Sequence, residues 1–141
     1  MGTWVLLHYK IPTAPSARRV YVWRKLKRLG ALLIQDAVWV LPATPRTQEQ
    51  FQWLAAEIQE QGGEALLWEA RLLLGTPEEG LRQQFVEQVD REYAVILAAL
   101  GAADANLAAL SRQYQQARLA DYFQSPLGRQ VRDMLLAARE V

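Results

Sequence analysis

Cysteine is absent from the 141 residues. That excludes disulfides, thiolate zinc sites and a cysteine nucleophile, and it fits a cytoplasmic protein. Histidine occurs once, as His8. No carboxylate lies near it in sequence to make a metal site or a base dyad, so it reads as a core or sheet-edge histidine. No charge-free apolar run is long enough to cross a bilayer, and no membrane partner is expected. The opening MGTWVLLHYK lacks a basic n-region with a cleavage site and reads as a first strand rather than a signal peptide. There is no phosphate-binding glycine loop, no Gly-x-Ser-x-Gly elbow and no His-Glu-x-x-His. Neither a catalytic residue nor a metal or cofactor is expected, and the chain does not read as an enzyme. The most informative shortage is of acid: no Asp or Glu precedes Asp36.

What is present in that acid-free stretch is cationic. Lys10, Arg18, Arg19, Arg24, Lys25, Lys27 and Arg28 give the first 35 residues seven positive charges, whereas the remainder carries nine cations against fifteen acids. The formal net charge of +1 therefore conceals a dipole. A molecule of this kind turns its basic end to an anion while staying soluble as a whole.

Hydrophobic residues make up 51% of the chain, enough for a buried core. Residues 3–11 predict a strand closed by Pro12. Ser16 predicts an N-cap for a helix that ends before Gly30. Residues 31–42 are broken only by Gln35-Asp36, which predicts two strands joined by a turn, with Asp36 a turn residue first and a ligand distantly second. Thr47 with Gln50 predicts a capping box for a second helix ended by Gly62-Gly63, and residues 64–74 predict a fourth strand. This order, β-α-β-β-α-β, is the ferredoxin-like arrangement. In the fourth strand Leu66, Trp68, Ala70 and Leu72 share one face, expected to meet the two helices, while Leu67, Glu69, Arg71 and Leu73 share a mixed one. From Thr76 the pattern turns helical. Leu81, Phe85, Val89, Ile96 and Leu100 make one stripe, Asp104 is a candidate cap for a second helix, and Ser125-Pro126 opens a last one. The expected architecture is α+β: a ferredoxin-like sheet domain over 1–75, then a helical extension over 76–141 packed on the sheet or at a dimer interface. Apolar content on both sheet faces and the Ala/Leu-rich run 94–110 predict a homodimer.

The first helix is the candidate site. Val22, Leu26 and Leu29 form its core stripe, with Trp23 at the edge. Tyr21, Arg24 and Arg28 lie opposite, flanked by Lys25 and Lys27, with Arg18 near the N-terminal flank. Arg19 falls near the apolar stripe, where it is expected to reach a buried or inter-subunit carboxylate. Guanidinium forks suit phosphate oxygens or a guanine edge, a tyrosine hydroxyl suits a phosphate, and counterion release supplies affinity for a nucleic acid. The competing reading is an ordinary solvated helix face. Like charges without acids for i,i+4 pairing repel by a few tenths of a kcal/mol per pair, which a bound anion relieves. The five tryptophans all precede residue 69 and read as core and sheet packing rather than base-stacking platforms, with Trp23 open to either role.

The run WVLLHYKIPTAPSARRVYVWRKLKRLGALLIQDAVWVLP, from Trp4 to Pro42, resembles the opening of ChrB-type proteins. Their N-terminal domain has an apolar strand, a proline-containing loop, and an Arg-Val-x-Val-Trp-Arg-Lys-Leu-Lys helix. That helix motif stands here as Arg19, Val20, Val22, Trp23, Arg24, Lys25, Leu26 and Lys27. Gly30, Ala31, Gln35 and Val40-Leu41-Pro42 follow as in the family, and Asp121-Tyr122-Phe123 resembles its late Asp-Phe-Phe segment. The resemblance implies a transcriptional regulator of chromate resistance whose N-terminal part binds duplex DNA. The family's longer members carry a C-terminal half regarded as the chromate sensor. No such half is expected within these residues, which makes a separate chromate-sensing protein an expected partner. A more distant similarity, Gly30, Gln35, Val38 and Trp39 after a first strand, links the chain to small CRISPR-adaptation nucleases and to PaaX-type repressors. In those nucleases an Asp follows the tyrosine that ends strand one. Lys10 stands there, and a lysine does not bind Mg²⁺. The alternatives to a DNA-binding regulator are a protein-interaction module that docks a partner without nucleic acid and, third, a nuclease relative.

Overall fold

The structure is a computed structural model that describes residues 2–35 and 38–139, so the turn reading of Asp36 lies outside the described residues. It contains two compact units, Met1–Glu78 and Glu79–Val141. The first holds β1 (Trp4–Lys10), α1 (Ser16–Leu29), β2 (Leu32–Gln35), β3 (Val38–Pro42), α2 (Pro45–Glu60) and β4 (Glu64–Ala70). The strands form one sheet in the order β2-β3-β1-β4, with every neighbouring pair antiparallel. This is the ferredoxin-like α+β arrangement expected from the element order.

Leu7 sits opposite Trp39 on one side and Leu67 on the other. With Val5 and Leu41 it forms the sheet face that is almost completely buried. Val22 and Leu26 of α1 and Phe51, Leu54 and Ile58 of α2 complete this core. The helices thus cover the Leu67 face, not the Leu66/Trp68 face. Leu66 and Trp68 are 54% and 55% exposed, although Trp4 and Val40 are buried on that same side of the sheet. Counting apolar residues along β4 alone misleads because the register is set by β1, whose Leu7 pairs with Leu67. β4 also ends at Ala70 rather than 74, because Ala70 faces Trp4, the first residue of β1, and the strand then has no partner. Leu73 and Leu74 are consequently exposed.

Local signals account for the helix ends. Gly30 takes φ 77°, the left-handed cap that glycine adopts without a Cβ penalty, and Ala31 N–H closes on Leu26 O at 3.1 Å. α1 starts after Pro15 with no side-chain cap, so Ser16 is its first residue and not its N-cap. The α2 capping box pairs Thr44 with Thr47 rather than Thr47 with Gln50. Pro45 fits the first helical position, which moves the cap three residues earlier. Thr47 is then buried, accepting from Thr44 N–H and donating to Pro42 O at 2.6 Å.

The second unit is α3 (Glu78–Leu100), α4 (Leu107–Arg118) and α5 (Pro126–Arg139). Val89, Tyr93, Ile96, Leu110, Tyr114, Ala117, Val131 and Leu135 form its core. Asn106, not Asp104, caps α4 by accepting from Ala109 N–H at 3.1 Å. Ser125 caps α5 as expected, with its hydroxyl accepting from the Leu127 and Gly128 amides and donating to Asp90. Tyr93 is 1% exposed and donates to Asp121 Oδ2 at 2.8 Å, while Asp121 Oδ1 accepts from Ser125 N–H at 2.9 Å. Burial, then the bond to Asp121, pushes the Tyr93 phenol far above its ordinary range and keeps it a neutral donor.

The Tyr93 ring also fixes how closely α5 approaches. A Cβ on Gly128 would stand 2.5 Å from Tyr93 Cε2 and 2.6 Å from Cζ. Gly128→Ala is therefore expected to lower the unfolding free energy by about 1–3 kcal/mol, the usual cost of overpacking. Chemical denaturation checks this, and an unchanged midpoint would show that the ring does not sit against residue 128.

Candidate nucleic-acid interface

In α1 only Val22 and Leu26 are fully buried, and every residue from Pro12 to Tyr21 is exposed. The first turns of α1 therefore present side chains to solvent all round. Arg19 shows the consequence. It shares an angular position with Leu26 but lies two turns earlier, where there is no core to bury it. It is exposed, and no ion pair reaches it among the described residues. Arg19 is not placed at a buried carboxylate within the described residues, because a helical projection ignores position along the axis.

The seven sequence-predicted residues fall into groups. Arg18 and Tyr21 face α2: Arg18 Nη1 donates to Gln61 O at 2.7 Å, and the Tyr21 hydroxyl donates to Glu57. That bond to a carboxylate raises the Tyr21 pKa. Lys25 and Lys27 each stack one turn back. Lys25 Nζ lies 5.8 Å from the Tyr21 ring centroid and Lys27 Nζ 5.8 Å from that of Trp23. Arg19, Arg24 and Arg28 are exposed and in no ion pair among the described residues.

Arg19 and Arg24 border a groove that sequence reasoning missed. It has a volume of about 750 Å³ and lies between the end of β1, the loop that follows and α1. Tyr9, Lys10, Val20 and Trp23 also line it. Tyr9 stands on the helix-covered face of β1. Its pKa is raised by burial, against the opposing effects of a hydrogen bond from the Trp39 indole and the nearby charge of Arg19. Trp23 is 52% exposed and Val20 44%. Trp53 and Trp68 are also exposed, leaving only Trp4 and Trp39 in the core and correcting the expectation that the tryptophans are packing residues. The alternation of β1 and the two prolines after it were the available signals for the groove.

His8 is exposed and sits on a central strand, opposite Val38 and Leu66, so it is neither a core nor a sheet-edge residue. Among the described residues no group of three or more His, Cys, Asp or Glu side chains stands close enough to hold a metal ion. No described helix is long and apolar enough to cross a membrane.

Comparison with known proteins places these features in a family. A family model described as "Protein ChrB, N-terminal" matches residues 19–125, which include all of α1 from Arg19 onward. Protein ChrB of Cupriavidus metallidurans is 35% identical over 60 residues, covering 43% of this chain. The matched stretch is only 18% of that relative's length. No solved structure matches. With the family model spanning well over half of the sequence, the chain belongs to the family of the ChrB N-terminal domain.

Proposed function

We propose that the chain is the DNA-binding part of a regulator of the ChrB type, acting in chromate resistance, with α1 as the surface that meets duplex DNA. The observation that carries this reading is the set of exposed guanidinium groups on one helix, Arg19, Arg24 and Arg28, in no ion pair among the described residues. Three cations so placed repel one another in the unbound protein, and a phosphate backbone relieves the repulsion while releasing counterions. Arg18 and Tyr21 serve the surface indirectly by holding α1 against α2, and Lys25 and Lys27 add charge from above their aromatic neighbours.

A salt titration of binding to duplex DNA, including DNA from around the protein's own gene, tests this. Arg24→Ala and Arg28→Ala are each expected to lower the slope of log affinity against log salt by about one unit if the contact is to phosphate. The loss is about 1–3 kcal/mol if the contact is bidentate to a base. Arg19→Ala is expected to weaken binding with no loss of stability, since Arg19 is exposed. Absence of salt-dependent affinity in the wild type, or wild-type affinity in both variants, overturns the reading.

Leu66 and Trp68 on the edge strand β4 form a second exposed feature, an apolar patch suited to a protein partner. We assign that patch to a second copy of the chain, which gives a C₂ dimer and two basic helices for one duplex. Sedimentation is expected to show a dimer at micromolar concentration that Trp68→Glu converts to monomer. A wild-type monomer at that concentration removes the dimer.

A further inference from the structure

The groove beside α1 carries more information than a row of cations does. A phosphate-binding surface needs charge and donors but no exposed indole. Trp23 is nevertheless 52% exposed, with Val20 beside it at 44%, and both line a groove of about 750 Å³. Tyr9 also lines it, half-buried at the end of β1. The cations there are Lys10, Arg19 and Arg24, and among the described residues no Asp or Glu lines the groove. The occupant that matches this lining is flat and apolar at its centre and anionic at its edge. An aliphatic ligand would leave the two aromatic rings unused, and a neutral one would leave the three cations unneutralised.

We propose that this groove seats an unstacked nucleobase of a single-stranded or locally unpaired nucleic acid, with Trp23 as its stacking platform and Lys10, Arg19 and Arg24 on the flanking phosphates. Bases stack on aromatic side chains regardless of sequence because each has a π-face, and a positively charged groove tracks the backbone. Lys27 over the same indole adds positive charge beside the stacked base. The inference rests on the reading of α1 as a nucleic-acid surface and goes beyond it, since duplex binding through phosphates makes no use of Trp23.

The test is fluorescence anisotropy of the full chain with a labelled thymidine 12-mer, single-stranded and as the paired duplex, across a salt series. Trp23→Ala is expected to weaken single-strand binding about tenfold, as loss of one stacking partner does. The salt slope should stay unchanged, and Trp23→Phe should recover most of the affinity. Arg24→Ala should instead lower the salt slope on both substrates. The stacking role is overturned if Trp23→Ala binds the single strand like the wild type, or if it loses single-strand and duplex affinity equally. If Trp23→Ala is silent while Arg24→Ala still flattens the slope, the duplex reading stands and only the base site falls. If neither DNA form binds in a salt-dependent way, the nucleic-acid reading itself fails. Tight, Trp23-dependent binding of poly-glutamate in place of DNA would assign the groove to an acidic protein partner and overturn the proposal.

Discussion

The pairing of β1 between β3 and β4 is the constraint from which the surface of this protein follows. Leu7 is wholly buried opposite Trp39 and Leu67, and a shift of one residue would exchange Val5, Leu7 and Tyr9 for Trp4, Leu6 and His8 on the helix side. That register places Tyr9 under α1 and ends the strand at Lys10. The loop that follows is exposed, and α1 joins the core only from Val22. The first turns of a 14-residue helix are thereby left outside the core, carrying exposed side chains of which Arg18 and Tyr21 tie back to α2. The groove beside it is a by-product of the same geometry.

The charge distribution is tolerable only because it is partly managed within unit 1. The tie between Tyr21 and Glu57 and that between Arg18 and the Gln61 carbonyl join the two helices at their exposed edge. Stacking of Lys25 and Lys27 on rings one turn away places two ammonium groups against π-faces, which suits cations that lack acidic neighbours. No comparable device is present among the described residues for Arg19, Arg24 and Arg28. The helix is therefore stable enough to form while keeping three guanidinium groups available, a pattern that a merely solvated face would not require.

Much of the fold was legible because its signals are local. Gly30, the Ser125 cap and the stripe of Leu81, Phe85, Val89 and Ile96 depend on neighbours within a few residues, and the order of elements followed from them. What escaped depends on distant partners. Leu66 and Trp68 read as core because the register with β1 is invisible in β4 alone. Thr44 was overlooked because Thr47 with Gln50 makes an equally good local pattern, and it is Pro45 at the first helical position, together with the Thr47 bond to the Pro42 carbonyl, that decides between them. Tyr93 was not part of the stripe, although its ring and hydroxyl organise the second unit through Gly128 and Asp121. Of the candidate site, the cations were legible from composition. Their division into tethered, stacked and exposed groups was not, nor was the exposure of Trp23, because all of these depend on where the sheet stops beneath the helix.

Lys10 gives the rim of the groove its chemical character. It ends β1 directly after Tyr9, where the distant resemblance to small nucleases implies an aspartate, and it lines the groove with Arg19 and Arg24. A carboxylate there would attract a divalent cation, and through it a phosphate. An ammonium attracts the phosphate directly and repels the metal. The same strand end on the same kind of fold thus offers either metal-assisted chemistry or binding alone, according to the sign of one side chain. With three cations and two aromatic rings around the groove and, among the described residues, no acid lining it, the field there attracts anions.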